Sequence, residues 1–383
     1  MTEDISNRVE VAQVRPNRDG IPSLTGLRFW AAMLVVLYHA NLLVGSIPGI
    51  SFFVEYGRTG VTFFFVLSGF ILAWNYWDRP TRPPVFYWRR FARIYPLFVV
   101  TAALSLGVYV WMSALPGLAE TVGTFLLLQA WVPNWREGGA NPPAWTLSCE
   151  AFFYAVFPLM LLVAARWRRH LMLLLWLALA VMVVTWAVAG GMGNSWVLDV
   201  FPATRALQFA VGVLAGILLR EGRRWSINYG LAIAAVIGYH VGLVAWSEWH
   251  DGGVRYTLDP YSAYMASSWL ATPVFLLLIV AAAQRDLDGR PTGLKSPTML
   301  KLGHWSFALY LVNEMIFRAW DHFQAPVDNV TLRILAWIAL AGLSQIAAAL
   351  LYKAVEHPAE KYLRVRWFGR TTPAAGQRDQ VKE

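Results

Sequence analysis

Arg28 and His39 are the first residues of this chain whose types and spacing suggest chemistry. They stand eleven residues apart in an apolar segment, and on a helix this makes about three turns, so the two side chains share a face about 16 Å apart along its axis. A guanidinium can bind an anion, and a neutral imidazole can accept a proton. Because ionisable groups are costly inside membrane helices, the pair predicts a functional site.

Glu150 is the carboxylate that we expect to lie closest to His39. It falls about one and a half turns from the outer end of its predicted helix, and His39 lies past the middle of the first helix toward the same side. We therefore expect the carboxylate to orient the imidazole and to raise its basicity for general-base catalysis. The structural alternatives are a histidine satisfied by a neighbouring helix and a glutamate that joins two helices.

A run of cations and aromatic residues, FYWRRFARIYP, occupies residues 86–96. Arg90 and Arg93 are three residues apart and share a helix face, so together they can clamp phosphate groups while aromatic neighbours stack on a planar base. Arg89 points elsewhere and suits a lipid contact. The alternative is an ordinary cationic anchor at the cytosolic end of a membrane helix, and position alone does not separate the two.

Composition indicates the kind of element that must position these residues. The chain of 383 residues is 57% hydrophobic and 14% charged, with a mean hydropathy of +0.45, and its apolar residues form long blocks between arginine-rich stretches. This is typical of a polytopic membrane protein. The net charge of +9 comes from cations that flank apolar blocks, which favours contact with membrane lipid and excludes nucleic acid as a partner. The single cysteine, Cys149, excludes an internal disulfide and a cysteine-rich zinc site.

The apolar blocks predict an all-α fold, a membrane helical bundle of about ten transmembrane helices. A further block at 121–132 is too short to cross and is expected to form a re-entrant or interfacial helix. With this topology 26 of the 32 lysine and arginine residues fall on one side, so the positive-inside rule predicts a multi-pass cell-membrane protein with both termini cytoplasmic. The predicted spans are residues 24–44, 58–77, 94–113, 145–165, 170–190, 203–220, 228–247, 264–284, 302–320 and 331–353.

The same blocks define the predicted domain organisation. Residues 1–22 are expected to form a disordered cytosolic tail without a signal peptide, residues 23–365 a single transmembrane domain, and residues 366–383 a second cytosolic tail. The sequence contains no repeat of fixed period and no room for a soluble domain between spans. It leaves the oligomeric state open, with a homodimer as one option.

Several segments resemble motifs of the acyltransferase-3 family of integral membrane acyltransferases, over about residues 21–363. Arg28 and His39 match the family's signature of an arginine, ten residues and a histidine. Further segments are similar to family motifs in the same order, namely residues 63–70, 90–96, 145–150, 303–311 and 356–358. Each motif is weak alone, but their order along the chain makes the resemblance specific.

Two of these segments carry structural expectations. Ser68 and Gly69 are expected at a close contact between helices, because small residues let backbones approach. Pro358 is expected to end the last span, since proline cannot continue a helix. Glu356, two residues earlier, is expected to pair with an inner arginine.

The resemblance implies a membrane-bound O-acyltransferase of compact form, similar to macrolide and sugar O-acyltransferases. Such an enzyme moves a short acyl group from acyl-CoA to a hydroxyl of a macrolide, glycoside or other carbohydrate-containing acceptor. Acyl-CoA would be a co-substrate, with no metal ion and no permanently bound cofactor. His39 would be the base and Glu150 its partner. The residues assigned to substrate binding are Arg28, Arg90, Arg93, Trp145, Tyr310 and Asn313.

Asn313 departs from the family pattern, because many members have histidine at this position. It is expected to position a substrate carbonyl or only to join two helices. A transporter or flippase of a lipid-linked or sugar-linked solute is the alternative function, and it should show Gly/Pro-broken helices in two corresponding halves. No such symmetry is visible, since the polar residues concentrate in spans one, three and four. The intact Arg28, His39 and Glu150 argue against a third alternative, an inactive homologue.

Overall fold

The computed structural model describes residues 20–79, 81–135, 139–191, 195–251, 260–323 and 327–368. Within these ranges the chain is mainly helical and has no β-strand, which confirms the all-α class. Helices satisfy their backbone hydrogen bonds internally, as a lipid environment requires. In chain order the helices are α1 (Ser23–Leu43), α2 (Ser51–Val54), α3 (Thr59–Tyr76), α4 (Pro83–Trp111), α5 (Leu118–Phe125), α6 (Trp145–Arg166), α7 (Leu171–Gly191), α8 (Ser195–Asp199), α9 (Pro202–Arg220), α10 (Tyr229–Asp251), α11 (Pro260–Leu287), α12 (Pro297–Phe323), α13 (Val330–Leu351) and α14 (His357–Phe368).

Ten helices in the described part of the chain have 18 residues or more, and each coincides with one predicted span. Eight helices in the same part are both long and apolar enough to cross a membrane. The polytopic membrane fold is therefore confirmed, while the number of crossings and the side of each terminus stay predictions. The predicted tails fall almost entirely outside the described residues.

Helices α3 and α9 form the centre of the bundle. The apolar windows that contain them are each 72% buried, against 17% for the window that contains α7. Gly69 on α3 lies against the carbonyl oxygen of Phe209, and Gly212 on α9 lies against that of Val66. A Cβ atom at either glycine would overlap the opposite backbone, so the close approach requires glycine. The predicted close contact at Gly69 is confirmed.

Helices α1 and α12 run side by side in the same direction and carry the candidate base. Gly303 near the start of α12 packs on the carbonyl oxygen of Thr25 near the start of α1, with no room for a Cβ atom. Because this contact fixes the alignment of the two helices, His39 further along α1 lies next to Asn313 on α12.

The chain between α5 and α6 enters the bundle instead of following its surface. The helix in the short apolar block covers Leu118–Phe125 rather than residues 121–132, because the backbone turns at Leu127, whose φ of 57° is left-handed. The Gln129 amide donates to the carbonyl of Ala144 (2.7 Å), and the Asn141 amide donates to that of Leu311 (3.2 Å). Residues 140–144 are buried, so α6 begins inside the bundle and not at its outer end.

The last span continues past Pro358. A π-helical turn at Tyr352–Glu356 joins α13 directly to α14, in which Pro358 is the second residue. The prediction that Pro358 ends the helix is therefore wrong. Proline is tolerated in a first helical turn, and the wider π turn before it lets the chain pass the ring.

Candidate active site

The hydrogen bonds of Asn313 determine which nitrogen of His39 carries the proton. The Asn313 amide nitrogen donates to the carbonyl oxygens of Leu309 (3.0 Å) and Tyr310 (2.8 Å). Its oxygen therefore faces His39 Nδ1 at 2.6 Å, and since an amide oxygen only accepts, Nδ1 must be the donor. In the neutral ring the lone pair is then on Nε2, which is the arrangement that a general base needs.

Glu314 lies on the other side of the imidazole. Its Oε2 is 3.7 Å from His39 Nε2, and its Oε1 accepts a hydrogen bond from Arg318 Nε at 2.7 Å. A separation of 3.7 Å is too long for a hydrogen bond but short enough for an ion pair. The carboxylate can thus stabilise a positive charge on the ring without occupying its lone pair.

His39 lines a cavity of about 130 Å³ that we call the outer chamber. Its walls come from α1, α3, α6, α9, α11, α12 and the residues just before α3 and α6. Two residues predicted to bind substrate, Trp145 and Tyr310, also line this chamber. The Tyr310 hydroxyl donates to the Pro143 carbonyl (2.9 Å), so it anchors the segment that precedes α6.

Glu150 does not meet His39, and the expected His39–Glu150 pair is wrong. Glu150 accepts a hydrogen bond from the hydroxyl of Tyr154 at 3.0 Å, whereas the ring of His39 contacts Asn313 and Glu314. The expectation that Glu150 and His39 lie at the same depth in the membrane fails because α6 starts inside the bundle. One and a half turns from its first residue therefore reach the level of Arg28, and not that of His39.

Glu150 and Arg28 line two further cavities. The middle chamber has a volume of about 50 Å³, and the inner chamber has about 100 Å³. Val61 and Tyr310 line both the outer and the middle chamber, while Arg28 and Glu150 line both the middle and the inner one. The three adjoining chambers form a row along α1. We name them by the predicted sides of the membrane.

Arg90 and Arg93 line the inner chamber together with Arg28, as their spacing predicted. The Nε atoms of Arg28 and Arg90 are buried and have no hydrogen-bond partner among the described residues. Arg93 donates to Glu360 Oε2 on α14 (3.2 Å). Three cationic side chains, two of them with an unused buried donor, suit an anionic ligand such as a diphosphate.

Among the residues that the structure describes, no arginine is hydrogen-bonded to Glu356, contrary to the expected pairing. Glu356 is only 2% exposed, and both carboxylate oxygens lack a hydrogen-bond partner in the part of the chain that the structure describes. Glu360, one turn further along the helix, forms the salt bridge with Arg93 instead.

Five charged residues of the outer chamber region were missed by the sequence analysis, namely Arg58, Asp199, Arg205, Glu314 and Arg318. A signal existed for Glu314 and Arg318, since they stand four residues apart next to Asn313 and can pair on one helix face. Arg58, Asp199 and Arg205 lie on separate elements in no common pattern, so only the fold brings them together.

Comparison with known proteins places this site in a family context. The family profile described as an acyltransferase domain, Acyl_transf_3, matches residues 21–353. Acyltransferase MdmB of Streptomyces mycarofaciens is 32% identical, over 95% of this chain and 96% of its own length. Nodulation protein 10 of Rhizobium leguminosarum bv. viciae is 27% identical, over 81% of this chain and 89% of its own.

A third relative matches over a smaller part of the chain. Peptidoglycan O-acetyltransferase OatA of Listeria monocytogenes is 28% identical over 42% of this chain and 27% of its own length. No solved structure matches the chain. The family match covers α1 to the π turn after α13, and it therefore includes all three chambers.

Proposed function

From the membership of this chain in the acyltransferase-3 family, we propose that it moves a short acyl group from acyl-CoA to a hydroxyl of a macrolide, glycoside or other carbohydrate-containing acceptor. The observation that carries the proposal is the row of chambers from the three arginines to the Nε2 lone pair of His39. An arginine-lined entrance suits the donor's phosphates, and an oriented base suits a hydroxyl.

The donor enters from the inner chamber. Its phosphates bind Arg90 and Arg93, and its pantetheine arm follows the middle chamber toward His39. This arm carries two amides, which need both hydrogen-bond donors and acceptors. Arg28 and Glu150, which line the middle and inner chambers together, supply one of each. Glu150 is thus a donor-binding residue in this proposal rather than the partner of the base.

The acceptor occupies the outer chamber. His39 Nε2 removes the proton of its hydroxyl as the oxygen attacks the thioester carbonyl carbon. The tetrahedral intermediate then collapses, the C–S bond breaks, and the imidazolium returns the proton to the leaving sulfur, which gives the ester and free CoA. Asn313 keeps the proton of Nδ1 in place, and Glu314 stabilises the imidazolium charge.

Family membership and the relatives' names support acyl transfer over the transporter alternative. The name of OatA describes O-acetyl transfer to peptidoglycan by that protein, which is chemistry of the same type on a carbohydrate polymer. The macrolide or glycoside acceptor rests on the motif resemblance, and the choice among them is open to direct assay.

The test is acyl transfer by the purified protein in lipid nanodiscs. Wild type and His39→Ala are incubated with a panel of short acyl-CoAs and candidate acceptors, and products are read by mass spectrometry while free thiol is followed separately. We expect a mass increase of one acyl group on an acceptor with wild type, and a loss of at least about a hundredfold in His39→Ala. Equal rates in the two proteins would refute His39 as the base.

A further inference from the structure

Three charged residues at the outer chamber have no role in the reaction as derived so far. Arg205 is 2% exposed and Asp199 is 1% exposed, and Arg58 reaches the same carboxylate from the segment before α3. Arg205 Nη2 lies 3.3 Å from Asp199 Oδ1, and its Nε donates to the backbone carbonyl of Asp199 at 2.7 Å. Buried ions of this kind are costly in a membrane protein, and they usually serve a ligand.

The position of the two guanidinium groups shows which ligand they can serve. Arg58 and Arg205 both line the outer chamber, as do His39 and Glu314. Asp199 pairs with both guanidinium groups, and Arg205 Nη1 also donates to Gln208 Oε1 at 3.2 Å. The ring of Trp269 lies 5.9 Å from the Arg205 guanidinium carbon. A guanidinium only donates hydrogen bonds. An occupant of the chamber must therefore present oxygen lone pairs to this wall.

We propose that Arg58 and Arg205, held by Asp199, form an acceptor-binding wall that selects a polyoxygenated group without positive charge. The wall binds oxygen atoms next to the hydroxyl that His39 deprotonates, so it fixes both the position of that hydroxyl and the chemical class of its neighbours. An ammonium group in place of a neighbouring hydroxyl removes the lone pairs and brings a like charge to the guanidinium groups. This inference rests on the proposed acyl transfer.

The experiment separates the donor half of the reaction from the acceptor half. Acetyl-CoA cleavage to water without an acceptor needs the donor chambers and His39, whereas transfer to a sugar also needs the wall. Both are measured at mildly acidic pH with methyl glucoside and with methyl glucosaminide, whose amine is protonated under that condition. The proteins are wild type, Arg58→Gln, Arg58→Lys and Arg333→Gln. Arg333 is the control, because it binds the Ser46 carbonyl (2.6 Å) outside the chamber.

We expect wild type to acylate the glucoside with a kcat/KM at least about tenfold above that for the glucosaminide, since bonds to charged groups are worth this much or more. Arg58→Gln should raise the KM for the glucoside about tenfold and lower cleavage to water by a clearly smaller factor. Arg58→Lys keeps the charge but not the planar, two-pronged guanidinium, so its KM for the glucoside should lie between those of wild type and Arg58→Gln. Arg333→Gln should match wild type.

Several results would contradict the proposal that Arg58 and Arg205 bind the acceptor. These are equal use of the two sugars by wild type, an unchanged glucoside KM in Arg58→Gln, and thioester cleavage without transfer to either sugar in wild type. A fall of both half-reactions by the same factor in Arg58→Gln would also count against it. Absence of any thioester cleavage in wild type would instead refute the proposed function, so the two failures are distinguishable. The comparison of the two sugars uses wild type alone, so it remains informative even if a variant fails to fold.

Discussion

The outer and inner chambers differ in how far their polar groups are already satisfied. Around His39, the amide of Asn313 uses its oxygen and its nitrogen, and Glu314 is held by Arg318. Around the inner chamber, the Nε atoms of Arg28 and Arg90 are buried without partners in the described part of the chain. An unsatisfied buried donor costs about 1–3 kcal/mol. The contrast fits the proposed function, in which the His39 end is preorganised for catalysis and the arginine end is completed by its ligand.

Asn313→Leu should have the largest effect of all the variants, because it removes the hydrogen bond that preorganises His39. Without the amide oxygen, Nδ1 has no partner that fixes its proton, so the ring can present Nε2–H to the acceptor. We expect kcat to fall about a hundredfold or more, with the KM for acyl-CoA nearly unchanged.

The matched control for Asn313→Leu is Ser344→Ala. Ser344 is equally buried, but its hydroxyl donates to the Leu340 carbonyl within α13 and does not line the three chambers, so its removal should leave kcat unaffected. A wild-type kcat in Asn313→Leu, measured at saturating donor and acceptor, would show that His39 does not depend on a fixed tautomer.

The double variant Arg90→Ala, Arg93→Ala should have the next largest effect, and on binding only. Loss of two charge-assisted contacts to phosphate should raise the KM for acyl-CoA about thirtyfold or more, while kcat at saturation stays within a few-fold. Arg168→Ala is the control, since Arg168 belongs to an exposed pair with Glu221 on the same side of the protein. An unchanged donor KM in the double variant rules out the phosphate clamp.

Glu314→Gln and Glu150→Gln test the reassignment of the two carboxylates. Glu314→Gln removes the charge 3.7 Å from Nε2 and should lower kcat about tenfold with little change in donor KM, because the imidazolium loses its counter-charge. Glu150→Gln should do the reverse, with an increase of a few-fold in donor KM and an unchanged kcat. The opposite pattern in steady-state kinetics would restore the His39–Glu150 pair that the sequence suggested.

Much of the fold follows from residue patterns. Apolar block length located the ten long helices of the described residues, and the small residue Gly69 marked a helix contact. Helix spacing put Arg90 and Arg93 on one face, and both line one chamber. These are local properties of a helix. They do not depend on how deeply a neighbouring element enters the bundle.

The missed parts of the site depend on depth and on long-range packing. Glu150 was assigned to the wrong partner because periodicity measures position within a helix and says nothing of where the helix begins in the membrane. The buried path of residues 139–144 toward α6 is set by hydrogen bonds to a different helix, such as that of Asn141 to Leu311. The convergence of Arg58, Asp199 and Arg205 likewise requires the folded chain.

The backbone contact between Gly303 and Thr25 has a mechanical consequence. Because the backbones of α1 and α12 touch at this point, a tilt or slide of one helix is resisted by the other, which favours a constant distance between the proposed base His39 and Asn313. The guanidinium groups of Arg90 and Arg93 belong to a different helix, α4. In the proposed reaction, the phosphates of the donor would therefore bind to a helix other than the two that hold His39 and Asn313.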